Sequence, residues 1–355
     1  SRKCDLRAAR SAARRCRTSA RDCELGVVRL LERARILGDA VRRQTPPNPW
    51  VGAVVVALDG SVVGEGSTEP PGGRHAEVVA IAHAGEKARG ATLYVTLEPC
   101  CHTGRTGPCT QAVIDAGIRR VVIGVLDTDQ RVRGRGVEEL RAAGIEVLVD
   151  NDEDCEYSLR PYLHHRQTGR PYVVAKVAST LDGAVSMNDG SSQWITSSEA
   201  RRDGHELRAD SQVVIVGAGT VRADDPTLTA RIDGVVSQPQ RIVLGDIPDG
   251  AKVQPARSYH GPLADLLAEL GASGVVQVLV EGGPGVVGPA LRDQLVNRVV
   301  WYAAPAFAGL ESARPALASL RTSTIDELLR GRITSVRLVG SDVRIEVEMP
   351  NAEHD

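Results

Sequence analysis

Residues 92–116 read TLYVTLEPCCHTGRTGPCTQAVIDA, and this stretch decides how the first half of the chain is built. Thr92 to Thr96 alternates β-branched and aromatic residues with Leu93, which predicts a short strand. Glu98-Pro99-Cys100 ends it, a Gly- and Pro-containing loop follows, and Thr110 to Ala116 has the spacing of a helix. Strand, loop and helix in that order form half of an α/β unit. The pattern continues on both sides. Upstream, Val28, Leu31, Ala34, Ile36, Leu37 and Val41 predict a helix over 27–41 that Pro46, Pro47 and Pro49 stop. Val51 to Leu58 reads as a strand, Asp59-Gly60 as a hairpin turn, Val62 to Gly66 as the returning strand and His75 to His83 as a helix. Downstream come strand Val121 to Val125, helix Gly136 to Ala143 and strand Glu146 to Val149.

Leu159 to Arg170 has mixed polarity and reads as a linker ending in a hinge at Thr168-Gly169-Arg170-Pro171. A second α/β series follows. Strand Tyr172 to Ala178 leads into a Gly-, Asp- and Ser-rich loop, then helix Ser198 to Arg208 and strand Gln212 to Val216, which runs into Gly217-Ala218-Gly219-Thr220. Strand Arg241 to Leu244, helix Leu263 to Leu270 and strand Val276 to Val280 precede Glu281-Gly282-Gly283, helix Val286 to Gln294 and strand Asn297 to Tyr302. Ile333 to Val339 and Val343 to Met349 suggest a terminal hairpin. The expected organisation is an Arg-rich, poorly ordered extension over 1–24, a first domain over 25–168 and a second over 169–350. A targeting role for the extension stays open.

The 355 residues are 42% hydrophobic and 25% charged, as in globular proteins, and exclude a disordered or fibrous chain. With 43 basic and 45 acidic residues there is no global attraction to nucleic acid or to an anionic membrane, and no apolar run is long enough to span a bilayer. Seven cysteines, unevenly clustered, fit a metal or reactive site in a reducing compartment better than a disulfide framework, so a cytoplasmic location is expected.

Within the first domain, His75-Ala76-Glu77 opens one helix, while Cys100 and Cys109 flank the start of another. One imidazole and two thiolates fill three corners of a tetrahedron and leave the fourth for water, the catalytic arrangement of Zn2+. Glu77, two residues after the ligand His75, is placed to take the water's proton and pass it on. His-x-Glu followed by Pro-Cys is the signature of zinc deaminases, here with eight residues between the thiolates rather than two. Cys101 reads as a packing or lining residue.

Residues 47–54, 73–78 and 96–109 resemble the deaminase domain of the bifunctional deaminase/reductase family of riboflavin biosynthesis, whose long insert between the cysteines they share. The resemblance implies an N-terminal cytidine-deaminase-like αβα domain, with Asn48 and His102 contacting the substrate. Departures are Cys101 for Ser, Gly107 for Pro, and Asp127-Thr128-Asp129-Gln130 for Asp-Pro-Asn-Pro. The last removes two prolines that would pre-set the loop, and with them some expected rigidity or substrate fit.

In the second domain, Lys176, Arg208 and Arg231 together with Gly-rich strand ends predict an anion-binding site, because glycine lets backbone N–H groups approach a phosphate closely. No Gly-x-Gly-x-x-Gly stands at a strand–helix junction, which argues against a doubly wound dinucleotide fold. Residues 176–183, 194–196, 201–208, 216–226 and 281–283 are similar to the reductase half of the same family, with its dihydrofolate-reductase-like α/β fold and NADPH. That likeness implies substrate contacts at Lys176, Thr196, Arg208, Asp225, Arg231 and Glu281. Lys176 and Asp225 would be catalytic. NADPH would lie against Trp194, Thr196, Gly217, Thr220, Val221, Gly282 and Gly283. Ala184 stands where the family usually has Arg or Lys, and Gly245 where Asp often follows the strand.

The implied reactions are zinc-dependent deamination of a phosphoribosylaminopyrimidine and then NADPH reduction of its ribosyl chain, in a homo-oligomer, dimer or tetramer. A monofunctional or diverted relative acting on another aminopyrimidine phosphate remains the alternative. A nucleic-acid deaminase would need a basic channel and has no use for a reductase-like half.

Overall fold

The computed structural model describes residues 29–102, 107–235, 237–309, 311 and 313–350. The Arg-rich extension and residues 103–106 after His102 lie outside these. The chain divides into two compact units, Ser1–Gln167 and Thr168–Asp355.

The first unit is built on a five-stranded sheet of β1 (Gly52–Val56), β2 (Val62–Ser67), β3 (Thr92–Leu97), β4 (Arg120–Val125) and β5 (Glu146–Val149), in the order β2-β1-β3-β4-β5. β1 runs antiparallel to β2 and β3, while β3, β4 and β5 are parallel. Its helices are α1 (29–39), α2 (Ala76–Ala84), α3 (Cys109–Asp115), α4 (Arg135–Ala142) and α5 (Glu153–Thr168). Every residue of β1 is buried, as expected of a strand covered on both faces. Glycine sets how close those covers come. A Cβ on Gly52 would lie 1.8 Å from the Ala34 carbonyl oxygen of α1, and one on Gly66 2.4 Å from the Ala76 carbonyl oxygen of α2. Gly66 pairs with Ala53, the neighbour of Gly52, so α1 and α2 lie on opposite faces of the sheet.

Most of the stretch expected to be a linker, Leu159 to Arg170, belongs to the 16-residue helix α5. Its buried side includes Ser158 and His165 beside Leu159, Tyr162 and Leu163, and Pro161 lies inside it, so neither periodicity nor propensity marked it.

The second unit holds an eight-stranded sheet in the order β10-β9-β8-β11-β6-β12-β15-β14. The strands are β6 (Tyr172–Thr180), β8 (Val213–Gly217), β9 (Gln240–Leu244), β10 (Arg257–Tyr259), β11 (Gln277–Val280), β12 (Arg298–Ala304), β14 (Arg332–Val339) and β15 (Asp342–Glu348). All neighbours from β10 to β12 are parallel, and β15 and β14 add an antiparallel edge, the terminal hairpin. Helices α6 (Ser198–Ala209), α7 (Ala218–Asp224), α8 (Leu263–Ala272) and α9 (Pro284–Arg292) complete it, with a small separate pair of β7 (Ala184–Met187) and β13 (Ala313–Pro315). Buried Val173, Val213 and Val278 pack into one core and Val174, Val214 and Leu279 into another, so the alternation along each strand feeds both faces. β11 enters the sheet between β8 and β6 although it follows both in sequence, which places a topological switch at the carboxyl ends of β8 and β11.

Candidate functional site

In the first unit three ligating atoms converge. His75 is the N-cap of α2, Cys109 opens α3, and Cys100 lies in the turn after β3. His75 Nδ1 is 3.2 Å from Cys109 Sγ and 3.5 Å from Cys100 Sγ, and the three atoms all lie within 4.8 Å of one another. Ligand atoms about 2.0 Å (nitrogen) and about 2.3 Å (sulfur) from one tetrahedral ion sit about 3.5 Å apart, so this donor set fits zinc without rearrangement. A hydrogen bond between the two sulfurs holds the Cys100 thiol well below its ordinary range, helped by His75, and pushes Cys109 up. The pair therefore readily gives up one proton. Glu77, in the first turn of α2, is only 4% exposed. Burial, reinforced by the Cys100 charge, raises its carboxyl to about 7. A carboxyl of that kind exchanges protons at neutral pH.

The Glu98 carboxylate is turned away from this cluster. It accepts backbone N–H bonds from Asp127 at 3.3 Å, Gly134 at 3.0 Å and Val137 at 3.2 Å, tying the residues beside Cys100 to the β4 loop and to the start of α4. The loop 127–130 lacks the expected prolines, yet side chains pin it. Asp127 accepts from the Asp129 N–H and the Tyr162 hydroxyl, and Thr128 donates to the Leu163 carbonyl. Asn48 is half-buried and donates its backbone N–H to Thr45. His102 has a buried Nδ1 with no hydrogen-bond partner among the described residues. Cys101 Sγ contacts the Arg131 carbonyl and contributes nothing to the ligand set.

The second unit has a cleft of about 1280 Å³ at the carboxyl ends of β6, β8, β9 and β11, where parallel sheets bind ligands. One end is cationic. Glu281 accepts two bonds from Arg208, at 2.6 and 2.7 Å, and one from Lys176 at 3.5 Å. Burial alone would raise the Glu281 carboxyl, but Arg208 and Lys176 outweigh it and hold it at about 2. Two cations thus share one anion. Arg231, exposed at the same end, has no carboxylate partner among the described residues. Facing the switch point, Gly217 is the N-cap of α7 and Gly283 that of α9. Nothing lies within 4 Å of where a Cβ would stand on Gly219 or Gly285, in the first turns of these helices, so their backbone is open to the cleft. Thr220 Oγ1 accepts the Gly283 N–H at 3.1 Å and joins the two turns. Such a pair of helix starts suits a dinucleotide diphosphate.

Eleven of the residues expected here line the cleft: Lys176, Trp194, Thr196, Arg208, Gly217, Thr220, Asp225, Arg231, Glu281, Gly282 and Gly283. Trp194 is 69% exposed, with the Arg201 guanidinium 4.5 Å over its ring. Asp225 is bound to Lys252 through that residue's backbone N–H at 2.8 Å and its ammonium at 3.1 Å, and these contacts hold its carboxyl below the usual range. Val221 is not among the cleft-lining residues. Only 2% exposed, it packs in the core against the sheet, because α7 already begins at Ala218 and turns residue 221 inward. Ala184 is buried in β7, so that position does not face the cleft. Sequence reasoning missed His205, which lines the cleft three residues before Arg208 on α6. That helical spacing was the available signal.

The model of the RibD C-terminal domain matches residues 171–345, and that of the cytidine and deoxycytidylate deaminase zinc-binding region matches residues 7–125. The riboflavin biosynthesis protein RibD of Mycobacterium tuberculosis (strain ATCC 25618 / H37Rv) is 43% identical over 320 residues, covering 86% of this chain and 93% of that protein. RibD of Aquifex aeolicus is 39% identical over 334 residues, 85% and 92% of the two chains. Among solved structures, Acinetobacter baumannii RibD (form 1) superposes with a TM-score of 0.85 at 35% identity, over 92% of this chain and 99% of that one. The diaminohydroxyphosphoribosylaminopyrimidine deaminase/5-amino-6-(5-phosphoribosylamino)uracil reductase of Thermotoga maritima gives 0.81 at 32%, with the same coverage.

Proposed function

The chain belongs to the RibD family of bifunctional riboflavin biosynthesis enzymes, and from that premise we propose the two steps it performs. The first unit hydrolytically deaminates 2,5-diamino-6-(5-phosphoribosylamino)pyrimidin-4(3H)-one. The second reduces the resulting 5-amino-6-(5-phosphoribosylamino)uracil to its ribitylamino product with NADPH. The observation that carries this reading is the convergence of His75 Nδ1, Cys100 Sγ and Cys109 Sγ beside buried Glu77, in a chain whose other unit holds a cationic cleft.

Zinc, when held by His75, Cys100 and Cys109, supplies a water acidic enough to attack at neutral pH. Glu77 takes a proton from the attacking water and delivers it to the departing amine, so that C–NH2 and water become C=O and ammonia. Asn48 and His102 hold the pyrimidine or its ribosyl phosphate, and the buried Nδ1 of His102, which has no partner among the described residues, supports that role. In the second unit NADPH, when bound, would supply the hydride for C1′ of the open-chain ribose. Lys176 donates to the oxygen at that carbon, held in place by Glu281. Arg208 and Arg231 take the phosphate end. Gly217, Thr220, Gly282 and Gly283 receive the cofactor's diphosphate, with Trp194 and Thr196 along the same wall. Asp225, kept ionised by Lys252, serves as a ribose anchor rather than as an acid.

No helix among the described residues is long and apolar enough to cross a membrane, and a reducing cytoplasm would keep the Cys100 and Cys109 thiols free for metal. A homo-oligomer is supported by the edge strand β14. Its exposed Ile333, Val336 and Leu338 lie opposite Val347, Ile345 and Val343 of β15, an apolar stripe that suits a second copy of the chain.

Two variants of the zinc-loaded protein test the assignment. Glu77→Gln is expected to keep zinc and to lose ammonia release by about 100- to 10,000-fold, while still reducing the deaminated intermediate supplied directly. Lys176→Ala should do the reverse. Equal loss of both reactions in each folded variant refutes separate sites.

A further inference from the structure

On α6, His205 and Arg208 stand three residues apart and both face the cleft. Two contacts of the His205 ring favour a proton on Nδ1. Nδ1 lies 2.9 Å from the carbonyl oxygen of Thr229, which can only accept, and Nε2 lies 3.3 Å from Nη2 of Arg231, which can only donate. A proton on Nδ1 and a bare Nε2 satisfy both. The opposite tautomer sets N–H against N–H and lone pair against lone pair. Two other donors approach Nδ1 at longer range, the Arg231 backbone N–H at 3.3 Å and Arg208 Nη1 at 3.4 Å, and the latter has the Thr229 carbonyl at 3.2 Å.

Arg231 differs from its cationic neighbours. Glu281 engages Arg208 and Lys176, whereas among the described residues the Arg231 side chain is held by neutral acceptors: Thr227 Oγ1 at 2.7 Å, Thr229 Oγ1 at 3.3 Å and His205 Nε2. A guanidinium fixed in this way keeps its charge available for an incoming anion. We propose that His205 is the positioning residue of Arg231: the neutral ring holds the guanidinium at the mouth of the cleft for the substrate's phosphate, and protonation of Nε2 releases it.

The inference rests on the reading of Arg231 as a phosphate ligand. The charged groups facing the ring are Arg208 on its own helix, Arg231 from the 227–231 loop and Glu281 from the end of β11, with Lys176 of β6 beyond Glu281. Partial burial, together with the charges of Arg208 and Arg231, keeps the imidazole below its ordinary value of 6.5, against the smaller pull of Glu281. His205 is therefore neutral at pH 7 and releases Arg231 only on the acid side.

The test is the reduction of the deaminated phosphoribosyl intermediate by the full-length zinc-loaded enzyme at saturating NADPH, from about pH 8 to about pH 5.5. His205→Ala is expected to raise KM about 10-fold with kcat nearly unchanged, and to weaken competition by ribose 5-phosphate by the same factor. His205→Gln, whose amide can both donate and accept, should restore most of the affinity. It should also lose the part of the acid rise in KM that wild type shows beyond the titration of the substrate phosphate, common to both proteins. Unchanged KM in His205→Ala overturns the inference while the phosphate reading stands, if Arg231→Ala raises KM; if neither variant moves KM, the phosphate reading fails too. Should His205→Ala lose NADPH binding through misfolding, the His205→Gln profile decides, and an acid limb identical to wild type refutes the proposal.

Discussion

Replacing Glu98 by Gln probes how the zinc-site loop is held. The native carboxylate is buried and accepts three backbone N–H groups, with Oε2 serving Asp127 and Gly134 and Oε1 serving Val137. Gln keeps one carbonyl oxygen. If that oxygen serves Asp127 and Gly134, the new amide N–H2 faces the Val137 N–H, so one bond is lost and two donors oppose each other without water. Hydrogen bonds to a charged group contribute about 1.5–3 kcal/mol each, and a buried unpaired donor costs about 1–3 kcal/mol. The neutral carbonyl also weakens the two remaining bonds. The expected local cost is about 2–4 kcal/mol, equivalent to about a 30- to 900-fold rise in the opening equilibrium of the segment. Hydrogen exchange of the zinc-loaded protein, read by mass spectrometry on peptides covering residues 126–138, measures it. Faster exchange there, with peptides of the second unit unchanged, is the expected result. Unchanged exchange over 126–138 would show that these three bonds do not hold the loop and would refute the reasoning.

Asp127 is buried beside Glu98, and burial raises its carboxyl from the ordinary 3.8 to about 6. A raised carboxyl favours the folded state below the unfolded value, and that advantage fades as pH climbs from about 3.8 to about 6. Asp127→Asn should therefore stabilise the first unit by about 1–3 kcal/mol more at pH 7.5 than at pH 4, as read by urea unfolding at the two pH values; an equal effect at both contradicts it. Gly282→Ala places a Cβ 2.8 Å from the Val286 Cβ at the start of α9. It should weaken NADPH binding, measured by fluorescence titration, by about 10-fold or more while sparing ammonia release.

The strands and the zinc ligands were legible because their signals are local. β3 and β4 are short runs rich in apolar and β-branched residues and β15 alternates apolar with charged residues, while His75, Glu77 and Cys109 fall at helix starts and Cys100 in the turn after β3. What stayed hidden depends on partners distant in sequence. α5 buries Ser158 because the Trp50 indole donates to it across 108 residues, so a polar residue occupies a core position. The binding of Glu98 to residues 127, 134 and 137 follows from β3 lying beside β4, which no spacing within its own motif reports. The burial of the Val221 side chain was hidden for a smaller reason: the Gly217–Thr220 stretch reads as a loop but begins a helix at Ala218, and that start turns the Val221 side chain into the core. His205 required the Thr229 and Arg231 contacts to acquire a role.

The central claim is that one chain both deaminates and reduces a phosphoribosylaminopyrimidine. A coupled assay on the purified zinc-loaded protein, supplied with the diaminopyrimidine ribosyl phosphate and following ammonia release and NADPH oxidation together, tests it most directly. Ammonia appearing first and NADPH falling after it in near-equal amount is the predicted result. Ammonia without NADPH oxidation, or neither signal from protein that retains its zinc, would contradict it.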